Sequence, residues 1–162
     1  MTAKPSQLLA GRFVIEREVG RGGVGVVYRA QDEMTKQAVA LKVIALPGVD
    51  GGEEARFRRE GGVLAGLHHP CIVRVVAFGQ LGDGQPYIAM EWLEGEDIAQ
   101  RQRRAVLSLV QSVHVAADVC DALAAAHLVG IVHRDVKPSN IILAGSMPGQ
   151  NDTFEVKLVD FG

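Results

Sequence analysis

The sequence predicts an α+β fold, in which a small antiparallel β-rich part with one inserted helix precedes a mainly helical part. Three observations lead to this prediction. Short β-branched and apolar runs, separated by turn formers, occupy most of the first half of the chain. One segment with helical periodicity interrupts these runs, and a second, longer helical segment follows them.

The β-rich part is expected to begin after a loose leader at residues 1–10. Its first three strands are predicted at residues 13–19, 26–30 and 38–44. The glycine cluster between the first two strands makes a hairpin turn. Residues 53–67 are predicted to form the inserted helix, because Phe57, Glu60, Leu64 and Leu67 recur at helical spacing on one face.

Two further strands are expected at residues 72–78 and 87–91, joined by the turn formers around Gly82. A long helix over 108–128 follows, with Ser108 as its N-cap and Gly130 just beyond its end. Short strands at 141–143 and 155–159 flank a polar loop. The expected organisation is therefore a first lobe over about 11–92, a hinge at 93–97 and a second lobe over 98–162.

Composition places the chain among globular proteins, because 48% of its residues are hydrophobic and 22% are charged. A net charge of −2 provides no basic field for nucleic acid. The first ten residues lack a signal-peptide pattern, and the two cysteines form no spaced framework, so we expect free thiols and a cytoplasmic location. The apolar stretch 113–132 is interrupted by polar residues such as His114 and Asp118, so no membrane segment is expected.

A glycine-rich loop follows the first predicted strand. Gly20, Gly22 and Gly25, followed by Val26 and Val27, form the pattern G-x-G-x-x-G-x-V. Glycines allow backbone amides to approach phosphate oxygens without an intervening side chain. A dinucleotide-binding fold would require a helix after the loop and an acidic residue ~20 positions later. Neither feature is indicated here, because Val26 and Val27 favour a strand and Val39 and Ala40 lie at that offset. The remaining alternative to a phosphate-binding loop is an ordinary glycine-rich hairpin.

A lysine within an apolar strand provides a second candidate. Lys42 ends the run Val-Ala-Leu-Lys, where an unpaired ammonium would be costly. Glu60 lies on the apolar face of the following predicted helix, and a Lys42–Glu60 pair would hold the ammonium in place to contact phosphates. The alternative is an edge-strand lysine that faces water.

The most specific segment is the loop from His133 to Asn140, His-Arg-Asp-Val-Lys-Pro-Ser-Asn. Asp135 can accept a proton from a substrate hydroxyl, and Lys137 can neutralise charge on a phosphoryl group. Asn140 and the later Asp160 offer oxygen ligands to Mg²⁺. Each residue alone could be a turn former, but their joint occurrence in this order favours catalysis.

Taken in order, these motifs resemble the signature of protein kinases over residues 11–162. The resemblance implies a two-lobed kinase-like fold, ATP and Mg²⁺ as cofactors, and a catalytic set of Asp135, Lys137, Lys42 and Glu60. It assigns the metal to Asn140 and Asp160. The residues that it implies for nucleotide binding are Val19, Gly20, Gly22, Gly25, Val27, Ala40, Lys42, Met90, Glu91, Leu93, Asp97 and Ile142.

The resemblance also indicates the type of kinase. The ending K-P-S-N of the catalytic loop is similar to that of serine/threonine kinases, whereas tyrosine kinases usually carry A-A-R-N there. The implied partner is a protein substrate with a serine or threonine hydroxyl. The alanine- and glycine-rich style suggests a bacterial member. The resemblance further implies a regulatory spine made of Leu64, Val75, His133 and Phe161.

The chain departs from the family pattern in two ways. Gly61 and Gly62 follow Glu60 within the predicted helix, where each costs about 1 kcal/mol relative to alanine. The sequence also reaches only the D-F-G motif at Asp160, so we expect a partial kinase domain that is inactive by itself. We further expect exposed apolar surface on helix 108–128, which a partner could cover. The alternatives are a truncated nucleotide-binding or interaction module without phosphotransfer, and a decayed gene product.

Overall fold

The computed structural model of the chain describes residues 7–22, 25–45, 61–145 and 153–161. The chain divides into two compact units, and each has its own hydrophobic core. The first unit comprises Met1–Gly66 and Val75–Trp92, and the second comprises Leu67–Arg74 and Leu93–Gly162.

The first unit is built on a six-stranded antiparallel sheet with the strand order β1-β2-β3-β4-β6-β5. Its strands are β1 (Leu8–Leu9), β2 (Phe13–Gly22), β3 (Gly25–Asp32), β4 (Ala38–Ile44), β5 (Val75–Gln80) and β6 (Pro86–Glu91). A helical segment, α1, is described over residues 61–66. The strand predicted at 38–44 is confirmed at both ends, and β1 lies within the residues expected to form a loose leader.

The two faces of this sheet differ in burial. In β4, Val39, Leu41 and Val43 are buried, whereas the alternating residues Ala40 and Lys42 are only partly buried. Successive side chains of a strand point to opposite faces, so this alternation separates a core face from an accessible face. The core face is made of Phe13, Ala30, Val39, Leu41, Val43, Tyr87 and Ala89.

A partly buried ion pair ties the start of β2 to the end of β3. Asp32 is fully buried and accepts two hydrogen bonds from the Arg12 guanidinium, at 2.8 and 2.7 Å. The same carboxylate accepts the Met34 backbone N–H at 3.0 Å and the Thr35 hydroxyl at 2.9 Å, which orders the β3–β4 turn. These donors, above all Arg12, hold the pKa of Asp32 well below its ordinary value.

The second unit combines two helices with a three-stranded sheet of order β7-β8-β9. Its elements are β7 (Gly95–Asp97), α2 (Ile98–Arg104), α3 (Leu109–Leu128), a short 3₁₀ helix (Pro138–Asn140), β8 (Ile141–Ala144) and β9 (Glu155–Leu158). Its core includes Leu143, Val156 and Leu158 from the sheet, together with Val119 and Ala122 from α3.

The long helix α3 begins and ends as its sequence predicts. Ser108 is the N-cap, and its hydroxyl accepts the Gln111 N–H at 3.2 Å in a capping box. Gly130 has φ +79° just beyond the end, a conformation that suits glycine. The length and composition of α3 would also suit a helix that crosses a membrane. This is weak evidence for a membrane span, since core helices of globular domains pass the same test. Leu109, Val110 and Leu128 are exposed on it, in agreement with the expected apolar surface.

One predicted strand began too early. The apolar run from Ile72 was predicted as a strand over 72–78, but β5 begins at Val75. Ile72 and Val73 are instead buried in the second unit, where Ile72 bridges Leu158 and Val73 donates to the Leu158 carbonyl at 3.0 Å. A continuous apolar run does not show which of two cores its residues join. The helix predicted at 53–67 is helical over 61–66, and residues 53–60 lie outside the described part of the chain.

Candidate active site

The glycine loop connects β2 and β3. The structure explains why glycine is needed at one of its three motif positions but not at the other two. Gly25 has φ +150°, and a Cβ there would lie 2.1 Å from the Val43 carbonyl oxygen of β4. The fold itself therefore requires glycine at position 25. Among the described residues, no atom lies within 4 Å of a Cβ at Gly20 or Gly22. Packing does not explain these two glycines, and the open space above them suits the close approach of a ligand.

The predicted nucleotide contacts of the first unit share one sheet face. Cross-strand pairing places Val27 directly opposite Lys42, and Ala40 directly opposite Met90. Directly paired residues point to the same face, so these four side chains lie on the accessible face, away from the core. Val19 on β2 is exposed. Glu60 lies outside the described residues, so the Lys42–Glu60 pair remains a prediction.

Three predicted catalytic residues meet in the second unit. The Lys137 ammonium lies 2.6 Å from Oδ2 of Asp135. The Asn140 side-chain N–H groups donate to the Asp135 carbonyl at 2.8 Å and to its carboxylate at 3.2 Å. The hydrogen bond from Lys137 is the main reason that the pKa of Asp135 is lowered. Asp135 is therefore an ionised acceptor at neutral pH, held by two neighbours of the same loop.

His133 is a buried residue that holds this loop through hydrogen bonds. Its Nε2 lies 2.9 Å from the Val159 carbonyl, and its Nδ1 accepts the Asp135 backbone N–H at 3.3 Å. Because Nδ1 accepts this N–H, Nε2 is the ring nitrogen that faces the Val159 carbonyl as a donor. The ring also packs against Phe161 at 4.5 Å between centroids. Two of the four predicted spine residues are thus in contact, and Leu64 and Val75 belong to the first unit.

The backbone is strained at both predicted catalytic motifs. Arg134 has φ +63° and Asp160 has φ +66°, a left-handed conformation that is uncommon for residues other than glycine. Such strain costs about 1–3 kcal/mol per residue and is concentrated at functional sites. The Val159 N–H donates to the Asn140 carbonyl at 2.9 Å. This hydrogen bond ties the residue before Asp160 to Asn140, the other predicted metal ligand.

Asp97 has a structural role that the sequence interpretation missed. It is the N-cap of α2, where its Oδ1 accepts the Gln100 N–H at 2.7 Å and the Gln100 side chain accepts the Asp97 N–H at 3.3 Å. The sequence signal was present, since Asp-x-x-Gln has the spacing of a capping box. Asp97 also pairs directly with Ile142 across β7 and β8, so two predicted nucleotide contacts are neighbours.

The two predicted metal ligands, Asn140 and Asp160, offer oxygen donors, which suit magnesium. Among the described residues, no group of three or more His, Cys, Asp or Glu side chains is arranged to hold a metal ion. Mg²⁺ does not need such a group, because it is usually bound through one or two carboxylates, waters and substrate phosphates. The Asn140 side-chain N–H groups donate hydrogen bonds to Asp135. Its amide oxygen is therefore the end suited to a hard cation.

Comparison with known proteins identifies the family. The protein kinase domain family matches residues 13–162. The chain belongs to the protein kinase family. It is 40% identical over 151 residues to the serine/threonine-protein kinase PknJ of Mycobacterium tuberculosis, covering 93% of this chain and 25% of PknJ. It is 37% identical over 156 residues to the serine/threonine-protein kinase pkn3 of Myxococcus xanthus, covering 95% of this chain and 28% of pkn3.

Solved kinase structures share the fold. The kinase domain of Mycobacterium tuberculosis PknI matches with a TM-score of 0.82 and 32% identity, over 99% of this chain and 61% of that one. Rad53, solved in complex with AMP-PNP, matches with a TM-score of 0.76 and 31% identity, over 93% of this chain and 38% of that one. The predicted two-lobed kinase-like fold and the assignment to bacterial-type serine/threonine kinases are confirmed. The chain spans about a quarter of the length of PknJ and pkn3.

Proposed function

We propose that this kinase chain carries the nucleotide-binding and catalytic residues that transfer the γ-phosphoryl group of ATP to a serine or threonine hydroxyl of a protein. The observation that carries this proposal is the constellation of Asp135, Lys137 and Asn140 within one loop, with its short ion pair. The names of the relatives support the serine/threonine specificity. Free Cys71 and Cys120 support a cytoplasmic location, where thiols stay reduced.

In this proposal Asp135 binds and orients the acceptor hydroxyl. Its ionised carboxylate accepts a hydrogen bond from the hydroxyl and takes the proton as the oxygen forms its bond to the γ-phosphorus. The bond between the γ-phosphorus and the β–γ bridging oxygen breaks, and ADP leaves. Lys137 lies beside the carboxylate and offsets negative charge that develops on the transferring group.

Nucleotide binding is assigned to the accessible face of the first unit, and Asp97 and Ile142 of the second unit are proposed as further nucleotide contacts. The open space over Gly20 and Gly22 admits phosphate oxygens close to the backbone. Lys42 on β4 would contact phosphates, with Glu60 as its proposed anchor. The backbone of Glu91 and Leu93 would contact adenine. Rad53, a relative of similar fold, was solved with the ATP analogue AMP-PNP.

Asn140 and Asp160 are the residues that would hold Mg²⁺. When bound, the ion would neutralise charge on the phosphates. The hydrogen bonds of the Asn140 amide to Asp135 orient its oxygen, and the link from Val159 to Asn140 restrains the backbone beside Asp160.

The decisive experiment separates chemistry from nucleotide binding. In the full-length protein, Asp135→Asn is expected to abolish transfer of labelled phosphate from ATP to a generic serine/threonine substrate. It should leave the affinity for Mg·ATP within about twofold, because a nearly isosteric amide keeps its loop contacts but is not a base. An equal loss of nucleotide affinity would show that Asp135 is structural and would contradict the catalytic assignment.

The 162 residues tested as an isolated polypeptide are proposed to bind Mg·ATP weakly and to show little phosphotransfer. They cover only 61% of the PknI kinase domain, and phosphoryl transfer depends mainly on positioning. Exposed Leu109, Val110 and Leu128 on α3 indicate a surface that further residues or a partner would cover. Robust phosphorylation that Lys42→Met abolishes would overturn this proposal. Binding without phosphotransfer by the full-length protein would instead support a nucleotide-binding module.

A further inference from the structure

Two arginines face each other across β2 and β3 and both contact one tryptophan. Arg17 is directly paired with Arg29 in the strand register. The guanidinium carbon of Arg17 lies 5.6 Å from the centre of the Trp92 ring, and that of Arg29 lies 5.3 Å from it. All three residues belong to the first unit.

A like-charged pair at directly opposed positions normally destabilises a sheet. Here the two charges are offset by their surroundings. Both guanidiniums lie within the distance at which the electron-rich face of an indole attracts a cation, and Trp is the best aromatic partner for this contact. Glu16 also forms an ion pair with Arg29. The Trp92 ring and the Glu16 carboxylate thus explain why Arg17 and Arg29 can be paired.

Trp92 lies at a point where backbone pairing stops. Glu91 is the last residue of β6 and pairs with Val39, and Trp92 is the first residue beyond the strand. Contacts of the Trp92 side chain with β2 and β3 therefore restrain the chain where the ladder ends. The same row of the accessible face continues from Arg29 to Ala40 and Met90, which are proposed to contact the nucleotide.

We propose that Arg17 and Arg29 clamp Trp92 and thereby position the adenine-contacting backbone on either side of it, at Glu91 and Leu93. This inference rests on the proposed function, since it assigns positioning residues to the same nucleotide site. A segment held in its binding conformation loses less conformational entropy when it binds, so the clamp raises nucleotide affinity. It does not touch the reacting atoms.

The test uses the fact that Trp92 is the single tryptophan of the chain. Acrylamide quenching of its fluorescence, measured without nucleotide, reports whether the arginines cover the ring. Calorimetric titration with Mg·ATP then gives the affinity of wild type, Arg17→Ala/Arg29→Ala, Trp92→Ala and Trp92→Phe. The control is Lys36→Gln, which removes a positive charge from an exposed pair with Glu33 in the β3–β4 turn and leaves the ring untouched.

We expect stronger quenching in the double arginine variant and a Kd for Mg·ATP that is about 5- to 30-fold higher, as for the loss of two exposed cation–π contacts. Trp92→Ala should match it, Trp92→Phe should recover part of the affinity, and the control should equal wild type. The arginines are on the surface, so their variants remain informative even if Trp92→Ala does not fold.

Two results would overturn the inference, and they differ from each other. If wild type binds Mg·ATP and the double arginine variant binds equally well, the clamp does not position the site, while the proposed function stands. If wild type itself binds no Mg·ATP, the proposed function fails and the inference fails with it. A merely structural role of the arginines would lower the melting temperature without changing the Kd measured well below it.

Discussion

The three motif glycines should respond differently to the same substitution. Gly25→Ala places a Cβ 2.1 Å from the Val43 carbonyl oxygen, where real Cβ atoms do not come within 3.0 Å, at a residue with φ +150°. The β3 and β4 backbones would have to move apart by about 1 Å, which disturbs the pairing of Gly25 with Ile44. At Gly20 and Gly22 the added methyl group meets no atom of the described part of the chain within 4 Å.

The magnitude follows from two effects at Gly25. Unfavourable φ costs about 1–3 kcal/mol, and overpacking against a fixed neighbour adds about 1–3 kcal/mol. We therefore expect Gly25→Ala to lower the free energy of unfolding by about 3 kcal/mol, which lowers the melting temperature by roughly 6–12 °C for a domain of this size. Gly20→Ala and Gly22→Ala should change stability by less than about 0.5 kcal/mol.

Thermal unfolding and calorimetric titration with Mg·ATP together test this reasoning. Gly20→Ala and Gly22→Ala are the matched controls for stability, and both should weaken nucleotide binding, because their methyl groups occupy the space proposed for phosphate oxygens. Wild-type stability of Gly25→Ala would refute the steric argument. Unchanged nucleotide affinity of Gly20→Ala and Gly22→Ala would refute the assignment of that space to phosphates.

Three further substitutions test other parts of the structure. Asp32→Asn should lower the free energy of unfolding by about 1.5–3 kcal/mol at pH 7. Because the pKa of Asp32 is held below its ordinary 3.8 in the folded state, the wild-type advantage should be full above that value and shrink as the pH falls below it, as followed by urea unfolding. Asp97→Ala should lower the free energy of unfolding by about 0.5–2 kcal/mol through the lost N-cap, as melting curves would show, and calorimetry should show weaker Mg·ATP binding. Asp97→Asn should keep the cap. Ser108→Ala should cost about 1 kcal/mol in thermal unfolding without affecting nucleotide affinity.

Local chemistry allowed the sequence to predict several elements correctly. The run of β-branched and apolar residues from Ala38 to Ile44 predicted β4 at both ends, because such residues suit a strand. Ser108 was recognised as an N-cap because its hydroxyl bonds a backbone N–H only three residues away. The loop that holds Asp135, Lys137 and Asn140 is likewise short, so residues adjacent in sequence are adjacent in space.

Tertiary structure decided the features whose partners are distant in sequence. The need for glycine at position 25 comes from the carbonyl of Val43, and nothing in the motif distinguishes Gly25 from Gly20 in this respect. The contact of Trp92 with Arg17 and Arg29 depends on how β2, β3 and the end of β6 are arranged.

The sequence by itself thus determined the family and the order of most elements, and it predicted the chemistry of the loop from His133 to Asn140, since these depend on residue type and short spacing. It did not determine which core the run at Ile72 joins. Burial of an apolar residue is non-directional, so its sequence pattern records that it is buried but not against which unit. Only the folded chain supplies the distant surface against which each such residue packs.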